Sequence, residues 1–181
     1  MYRSRYRTSD ITISALFIAL TAVCSWISIP VPGTSVPINM ATFAVILAGV
    51  TLGARRSSLA MIIFLLLGSI GVPVFHSLTG GVGIVFGPTG GFLIGYIALA
   101  FLSGLSAESA NAESRRILPF IPAVLFGEIA LYAFGTAWFI FQSGTPLQAA
   151  LLACVVPFIP GDILKIILVY LVKGRLEKAL A

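Results

Sequence analysis

Charged side chains are scarce in this chain of 181 residues. Lys, Arg, Asp and Glu make up 9% of it, whereas 59% of the residues are hydrophobic and the mean hydropathy is +1.08. A soluble domain usually has about a quarter of its residues charged. So few charges cannot cover a surface that faces water, and this excludes an ordinary soluble domain. The composition predicts a single domain over residues 1–181 that is surrounded mostly by lipid.

Histidine and cysteine are also rare. His76 is the only histidine, which excludes the usual multi-histidine metal sites. The two cysteines, Cys24 and Cys154, lie inside apolar stretches, so we expect no disulfide framework. The sequence contains neither the Gly-Lys-Ser/Thr motif of an ATP-hydrolysing loop nor a Gly-x-Ser-x-Gly elbow. We therefore expect no metal, no cofactor and no enzyme activity.

The apolar residues form six segments separated by turn or charge signals. These segments cover approximately residues 10–29, 37–53, 58–73, 88–106, 117–141 and 146–173. Apolar stretches of roughly 20 residues are typical of transmembrane helices. The pattern predicts an all-α, polytopic membrane protein with six transmembrane helices.

Ten of the eleven Lys and Arg residues fall on one side of this arrangement. They precede the first segment, occupy alternate loops or follow the last segment: Arg3, Arg5, Arg7, Arg55, Arg56, Arg115, Arg116, Lys173, Arg175 and Lys178. The three intervening loops contain no Lys or Arg. Because positive charge marks the cytoplasmic side, the pattern places both termini in the cytoplasm. The net charge of +5 therefore reflects membrane topology and not a nucleic-acid surface.

The sixth segment is too long for one regular helix, and Pro157 and Pro160 interrupt it. Proline is favoured in the first turn of a helix. We expect a short helix near 146–156, a break near Pro157–Pro160 and a final helix that starts near Pro160. Irregular backbone at membrane depth persists only where it is buried in protein or lines a cavity. The break is therefore a pointer to a binding site.

The eleventh basic residue, Lys165, lies inside this last segment, three positions after Asp162. That spacing places both side chains on one helix face. Ionisable residues within a membrane are costly, and they indicate a function by default. The two residues could neutralise each other and only link helices, or they could bind a ligand, with Asp162 accepting and Lys165 donating hydrogen bonds. The break beside Asp162 favours the ligand.

Two further features leave alternatives open. Glu128 is the other acidic residue at membrane depth; it either faces the same cavity or is protonated against a backbone carbonyl. Ala15 and Ala19 on the first helix form a small-xxx-small pair. Such pairs pack against another helix of the same bundle or against another protein.

A glycine-rich stretch, residues 78–91, connects the third and fourth segments. It is either an outer loop whose backbone amides cap a ligand or a loop that needs glycine for its turns. Gly87, Gly91 and Gly95 recur every four residues, which indicates that part of this region is a helix-packing surface.

Five blocks of sequence occur together in a characteristic order and spacing: Thr42–Gly49, Leu67–Phe75, Gly87–Gly95, the spaced Tyr132, Gly135 and Trp138, and Phe158–Lys165. On these blocks the chain resembles, over nearly its whole length, the BioY family. That family comprises the biotin-specific substrate-binding (S) components of energy-coupling factor (ECF) transporters. Two positions depart from the family pattern: Ala41, where glutamine is frequent, and Thr79, where some members have asparagine.

The resemblance implies a six-helix S-component fold with a biotin pocket that opens to the outside. It implies polar contacts from Asp162 and Lys165, although whether Lys165 meets the ureido group or the carboxylate stays open. The implied substrate-binding set is Asp162, Lys165, Thr79, Gly80, Gly81, Asn39, Phe43, Tyr132 and Trp138.

The resemblance also implies a role and partners. The protein would be a high-affinity biotin-binding subunit of a vitamin importer in the cytoplasmic (inner) membrane of a bacterium or archaeon. Ala15 and Ala19 would face a transmembrane coupling (T) protein, and ATP-binding cassette ATPases would supply the energy. The alternatives are an S component for another vitamin and a membrane subunit without a transport role. Whether the chain works alone, as a homo-oligomer or only with an energising module is not decided by its sequence.

Overall fold

A computed structural model describes residues 8–30, 36–108 and 117–180, without the side chains at 108, 117–119 and 174–180. Arg3, Arg5, Arg7, Arg115 and Arg116 lie outside the described residues, as do the side chains of Arg175 and Lys178. The topology drawn from these charges therefore stays a prediction.

The described chain is mainly helical. Its α-helices are α1 (Thr8–Trp26), α2 (Ala41–Leu52), α3 (Ala54–Ser69), α4 (Val82–Val85), α5 (Gly90–Glu108), α6 (Ile117–Ser143), α7 (Leu147–Cys154) and α8 (Ile159–Leu180). Two short strands, β1 (Ser28–Ile29) and β2 (Ile38–Asn39), pair in antiparallel fashion, and His76–Leu78 form a 3₁₀ turn. The predicted all-α membrane fold is confirmed.

The six apolar segments correspond to α1, α2, α3, α5, α6 and the α7–α8 pair. Three of the described helices, α1, α5 and α6, are long and apolar enough to cross a membrane, and α7–α8 adds a fourth span if its 43° bend is taken as one broken span. The predicted six spans agree only roughly with this number, because α2 and α3 are shorter.

Helix α2 is enclosed by other helices. It has 12 residues, which corresponds to about 18 Å of helix, whereas the hydrocarbon core of a bilayer is about 30 Å thick. Nine of these residues are buried, and α1, α3, α5 and α8 pack around them. A helix surrounded by protein does not have to match the bilayer thickness, so α2 can end at membrane depth.

Two predicted boundaries differ from the structure. The first helix ends at Trp26 and the second begins at Ala41, because Ser28–Ile29 pair with Ile38–Asn39 as strands. The predicted connection between the second and third segments shortens to Gly53, whose φ of 79° reverses the chain in one residue. Arg56 therefore lies in the first turn of α3, where it pairs with Asp10 at 2.9 Å.

Small residues decide how closely the helices approach. Gly91 and Gly95 face α6, and a Cβ atom added to Gly91 would lie 2.3 Å from the Cβ of Trp138. Gly87 precedes α5, and a Cβ atom added to it would lie 3.0 Å from the carbonyl oxygen of Gly83. Ala15 and Ala19, in contrast, lie on the exposed face of α1. They are therefore not used for packing within the described chain.

Gly104→Ala should destabilise the fold, because the added Cβ would lie 2.5 Å from the backbone of Ala54. Forcing α3 and α5 apart should lower the free energy of unfolding by about 1–3 kcal/mol. Gly83→Ala is the matched control, since nothing lies within 4 Å of its added Cβ. Thermal unfolding in detergent measures both variants, and equal unfolding temperatures would contradict this account of the packing.

Candidate functional site

A cavity lies between the break that separates α7 from α8, the N-terminal parts of α2 and α5, and the middle of α6. Its empty space, including the open mouth, is about 520 Å³. It is lined by residues of five helices (α1, α2, α5, α6 and α8), of the segment 36–39, of the 3₁₀ turn, of the loop before α5 and of the break: Ser25, Val36, Pro37, Asn39, Thr42, His76, Thr89, Phe92, Leu93, Tyr96, Leu131, Tyr132, Phe158, Asp162 and Lys165.

A buried ion pair forms the polar end of this cavity. Lys165 Nζ donates to Asp162 Oδ1 at 2.8 Å, and each residue is only 4% exposed. Asp162 lies in the first turn of α8, where the helix dipole favours a negative charge. The chain break supplies that helix start, and the three-residue spacing then brings Lys165 over the carboxylate.

Every proton of the Lys165 ammonium group has a protein acceptor. Besides Asp162, Nζ donates to the backbone oxygen of Asn39 at 2.7 Å and to Thr42 Oγ1 at 2.9 Å. An ammonium group has three donors and no acceptor. Lys165 is therefore saturated, and a ligand could bond to it only by displacing one of these partners.

The Asp162 carboxylate retains one free acceptor position. Its Oδ1 accepts from Lys165 and from Thr42 Oγ1, the latter at 3.3 Å, while Oδ2 accepts from the hydroxyl of Tyr132. A carboxylate offers about four lone-pair positions. The fourth position, on Oδ2, is available to a donor in the cavity.

Asn39 supplies the matching donor. Its Oδ1 accepts from the backbone N–H of Ala41 at 3.0 Å and from the hydroxyl of Tyr96 at 3.3 Å. Because a backbone N–H can only donate, this contact fixes which end of the amide is oxygen. The two Nδ2 protons make no hydrogen bond to the described residues, and Asn39 lines the cavity.

The remaining walls are apolar and aromatic. Phe92 and Phe158 stack with their ring centroids 6.3 Å apart and 14° between the ring planes. Leu93 and Leu131 also line the cavity. An apolar slot with a few converging polar groups at one end is the usual design of a small-molecule site.

Four of the nine predicted binding residues line the cavity: Asp162, Lys165, Asn39 and Tyr132. Phe43 does not, and packs partly buried against the core. Trp138 does not either, because its indole N–H donates to the carbonyl of Gly87 at 2.9 Å and ties the loop to α6.

The three predicted loop contacts also lie elsewhere. Thr79 donates its hydroxyl to the backbone oxygen of His76 at 2.7 Å. Gly80 is pressed against the carbonyl of Val72, 2.4 Å from where a Cβ would stand. The N–H of Gly81 donates to Gly68 O at 2.6 Å. In this structure Thr79, Gly80 and Gly81 serve the turns and close contacts of the loop, and their contact with a ligand stays a prediction.

Sequence reasoning did not find several residues that line the cavity. Thr42 lies in one of the recognised blocks, beside the predicted Phe43, and that position was the available signal. Thr89 also lies in a recognised block, Gly87–Gly95, whereas Tyr96, His76 and Ser25 carried no comparable signal, because single polar residues near helix ends are common in membrane proteins.

Glu128 matches neither arrangement considered for it. It does not line the cavity, and both of its carboxyl oxygens are buried without a hydrogen-bond partner among the described residues. It lies one turn before Tyr132 on α6. A carboxyl group buried in this way is costly to the folded state.

Comparison with known proteins gives consistent results. The model of the BioY family matches residues 1–181. The biotin transporter BioY of Rhodobacter capsulatus is 36% identical over 171 residues, with 90% of each chain covered. The probable biotin transporter BioY of Pyrococcus horikoshii is 32% identical over 171 residues, covering 94% of this chain and 98% of that protein.

A solved structure also matches. It is a crystal structure of the S component for biotin from an ECF-type ABC transporter, with a TM-score of 0.86 and 31% sequence identity. The alignment covers 98% of this chain and 95% of that chain. The resemblance read from the five sequence blocks is confirmed.

Asp162→Asn and Lys165→Met should each destabilise the protein, because each leaves a buried charge without its partner. Losses of about 3–5 kcal/mol are typical of such changes. The double variant should recover part of the loss, since it buries no net charge. Thermal unfolding of the four proteins in detergent gives the coupling; additive losses would contradict a direct ion pair.

Glu128→Met should stabilise the fold by about 1 kcal/mol, because it replaces a buried carboxyl group that lacks partners with an apolar side chain of similar size. Glu128→Asp is the control; it keeps the carboxyl group, loses a methylene and should lower stability. A marked loss of stability in the Met variant, measured by thermal unfolding, would show that the carboxyl group makes a stabilising contact.

Proposed function

The chain belongs to the BioY family, and on that membership and the geometry of the cavity we propose that it binds biotin as the substrate-binding subunit of a vitamin importer. The observation that carries the proposal is the pairing of one free acceptor on Asp162 with the free amide donors of Asn39 at the end of an aromatic slot. In this role the chain is not an enzyme and needs no cofactor.

The ureido group of biotin is complementary to this polar cluster. It has two N–H donors and one carbonyl acceptor. One N–H would donate to Asp162 Oδ2, and the carbonyl would accept from Asn39 Nδ2. The two protein groups are neighbours, because Lys165 Nζ bonds to both residues, to Asn39 O at 2.7 Å and to Asp162 Oδ1 at 2.8 Å. The apolar bicyclic body would lie against Phe92 and Phe158.

Lys165 acts on the ligand through Asp162 and Thr42 in this arrangement. Its three donors are already used by protein acceptors, so it orients the acceptor groups and does not bind the carboxylate of the ligand. The free oxygen of Asp162 would also repel a second carboxylate. The ureido end therefore suits the cluster better than the valerate end does.

The exposed face of α1 supports a proposal for the protein partners of the chain. Ala15 and Ala19 are exposed, and a groove lined largely by apolar residues of α1 and α3 lies beside Ala15. We assign this face to a transmembrane coupling protein, with ATP-binding cassette ATPases as the source of energy. The protein would lie in the cytoplasmic membrane of a bacterium or archaeon, with both termini in the cytoplasm.

Asn39→Asp should weaken biotin binding at least fivefold, because it replaces the amide donors by an acceptor that faces the ureido oxygen. An unpaired buried polar group costs about 1–3 kcal/mol, which corresponds to roughly 5- to 150-fold in affinity. Isothermal titration of the purified protein in detergent measures the affinity. Titration with other vitamins should give no heat of binding and no competition with biotin.

Gln148→Glu is the matched control. It makes the same amide-to-carboxylate change at an exposed residue of α7 that does not line the cavity, and it should leave the affinity within twofold. Failure of the wild-type chain to bind biotin at micromolar concentration would overturn the proposed function. An Asn39→Asp variant that binds like wild type would overturn the proposed ureido contact only.

Replacing Ala15 and Ala19 together by Leu should abolish biotin uptake by cells that contain the coupling protein and its ATPases, while biotin binding by the purified chain is retained. The bulky side chains would prevent close approach of a partner helix. Ala133 and Ala137 form an exposed pair with the same spacing on α6, so their double Leu variant is the control and should keep uptake. Equal uptake by both double variants would exclude α1 as the docking face.

A further inference from the structure

His76 is the one ionisable side chain of the cavity, within the described residues, that the polar cluster does not use. It lines the cavity, it is half-buried, and neither ring nitrogen makes a hydrogen bond to the described part of the chain. Burial lowers the pKa of His76 below its usual value. A half-buried imidazole that makes no hydrogen bond to the described chain is available to a ligand group in the cavity.

Among the described residues that line the cavity, only His76 could offer an unpaired positive charge to an anion. On α8, Asp162 and Lys165 neutralise each other, and Glu128 of α6 lies behind them without a cation at hydrogen-bond distance. Tyr96 of α5 and Tyr132 of α6 donate their hydroxyl protons to Asn39 and Asp162. His76 is thus the only other lining residue of the described chain that can become positive.

The backbone around His76 holds the ring in position. Its carbonyl accepts from both the N–H and the hydroxyl of Thr79, at 3.2 and 2.7 Å. Ser77 and Leu78 have φ angles of 54° and 59°, a left-handed conformation that is unfavourable for residues other than glycine. Such a conformation persists only where the surroundings hold it and is common at ligand sites.

The loop is also fixed to the outer end of α1. The indole N–H of Trp26 donates to the carbonyl of Pro73 at 2.9 Å, and the hydroxyls of Ser28 and Ser77 lie 3.3 Å apart. His76 is therefore presented to the cavity by a constrained turn, which lowers the entropy lost when a ligand group binds to it.

We propose that the protonated imidazole of His76 binds the carboxylate of the ligand, while the Asp162–Asn39 end binds the ureido group. This assignment rests on the proposed function and deepens it, because it makes His76 the residue that selects the free acid over neutral derivatives. A carboxylate beside the ring favours the protonated form. Binding of the acid therefore takes up a proton, whereas binding of a neutral analogue does not.

The test compares biotin with biotinamide, in which the carboxylate is replaced by an uncharged amide. Affinities of wild type, His76→Ala and His76→Gln are measured by isothermal titration at pH 6 and pH 8. A charge-assisted hydrogen bond contributes about 1.5–3 kcal/mol, so wild type should prefer biotin at least tenfold at pH 6 and less at pH 8. His76→Ala should bind the two ligands within twofold at both pH values, and His76→Gln should show at most a small preference that does not change with pH.

Biotinamide reports on folding in the same experiment, because both variants should bind it as wild type does. Ser28→Ala removes a contact to the same turn without changing the cavity, and it should keep the wild-type preference and its pH dependence. A preference that survives in His76→Ala, or that is independent of pH in wild type, would overturn the assignment. Failure of the wild-type chain to bind either ligand would overturn the proposed function itself.

Discussion

The buried ion pair between Asp162 and Lys165 is the interaction on which the rest of the structure depends. Two charges removed from water are stable only if their remaining donors and acceptors are also satisfied. Satisfying them requires the backbone carbonyl of Asn39 from β2, Thr42 from the first turn of α2, and the hydroxyl of Tyr132 from α6. The pair therefore joins three helices at one point and requires the chain break that starts α8 directly before Asp162. Because Thr42 lies in the first turn of α2 and accepts from Lys165, this helix begins at the depth of the ammonium group.

The amino-acid pattern predicts this centre well because membranes tolerate few ionisable side chains. Asp162 and Lys165 stand out from an apolar segment, and the prolines beside them mark the break. The partners of the pair are not predictable in the same way. Thr42 lies in a helix whose other residues are nearly all apolar, and hydroxyl side chains in such helices usually bond to their own backbone, as Thr21 does to the carbonyl of Phe17 at 2.7 Å. Only the packing of α2 against α8 shows that Thr42 bonds elsewhere.

Several predicted ligand contacts do not line the cavity, and they share a physical origin. Trp138, Thr79 and Gly80 occur in recognised or glycine-rich stretches, but the pattern cannot distinguish a residue that contacts the ligand from one that holds a loop. Trp138 bonds to Gly87, Thr79 bonds to His76, and Gly80 permits contact with Val72. The strands at 28–29 and 38–39 were missed for a related reason: a short apolar run beside a helix has no periodicity that separates strand from helix.

Helix α1 connects the two surfaces that the proposed role requires. Its exposed face carries Ala15 and Ala19, and Ser25 near its C-terminal end lines the cavity. One residue further on, Trp26 bonds to the carbonyl of Pro73, which lies three residues before His76. A helix is stiff along its axis, so a partner that tilted or rotated α1 by its exposed face would displace one wall of the cavity and the turn that carries His76. Thr42, Tyr132, Asp162 and Lys165 are supplied by α2, α6 and α8, whereas Asn39 belongs to β2 and pairs with Ser28 of β1, just after α1. A displacement of α1 would therefore reach both ends of the ligand, His76 through Trp26 and Asn39 through the strand pair.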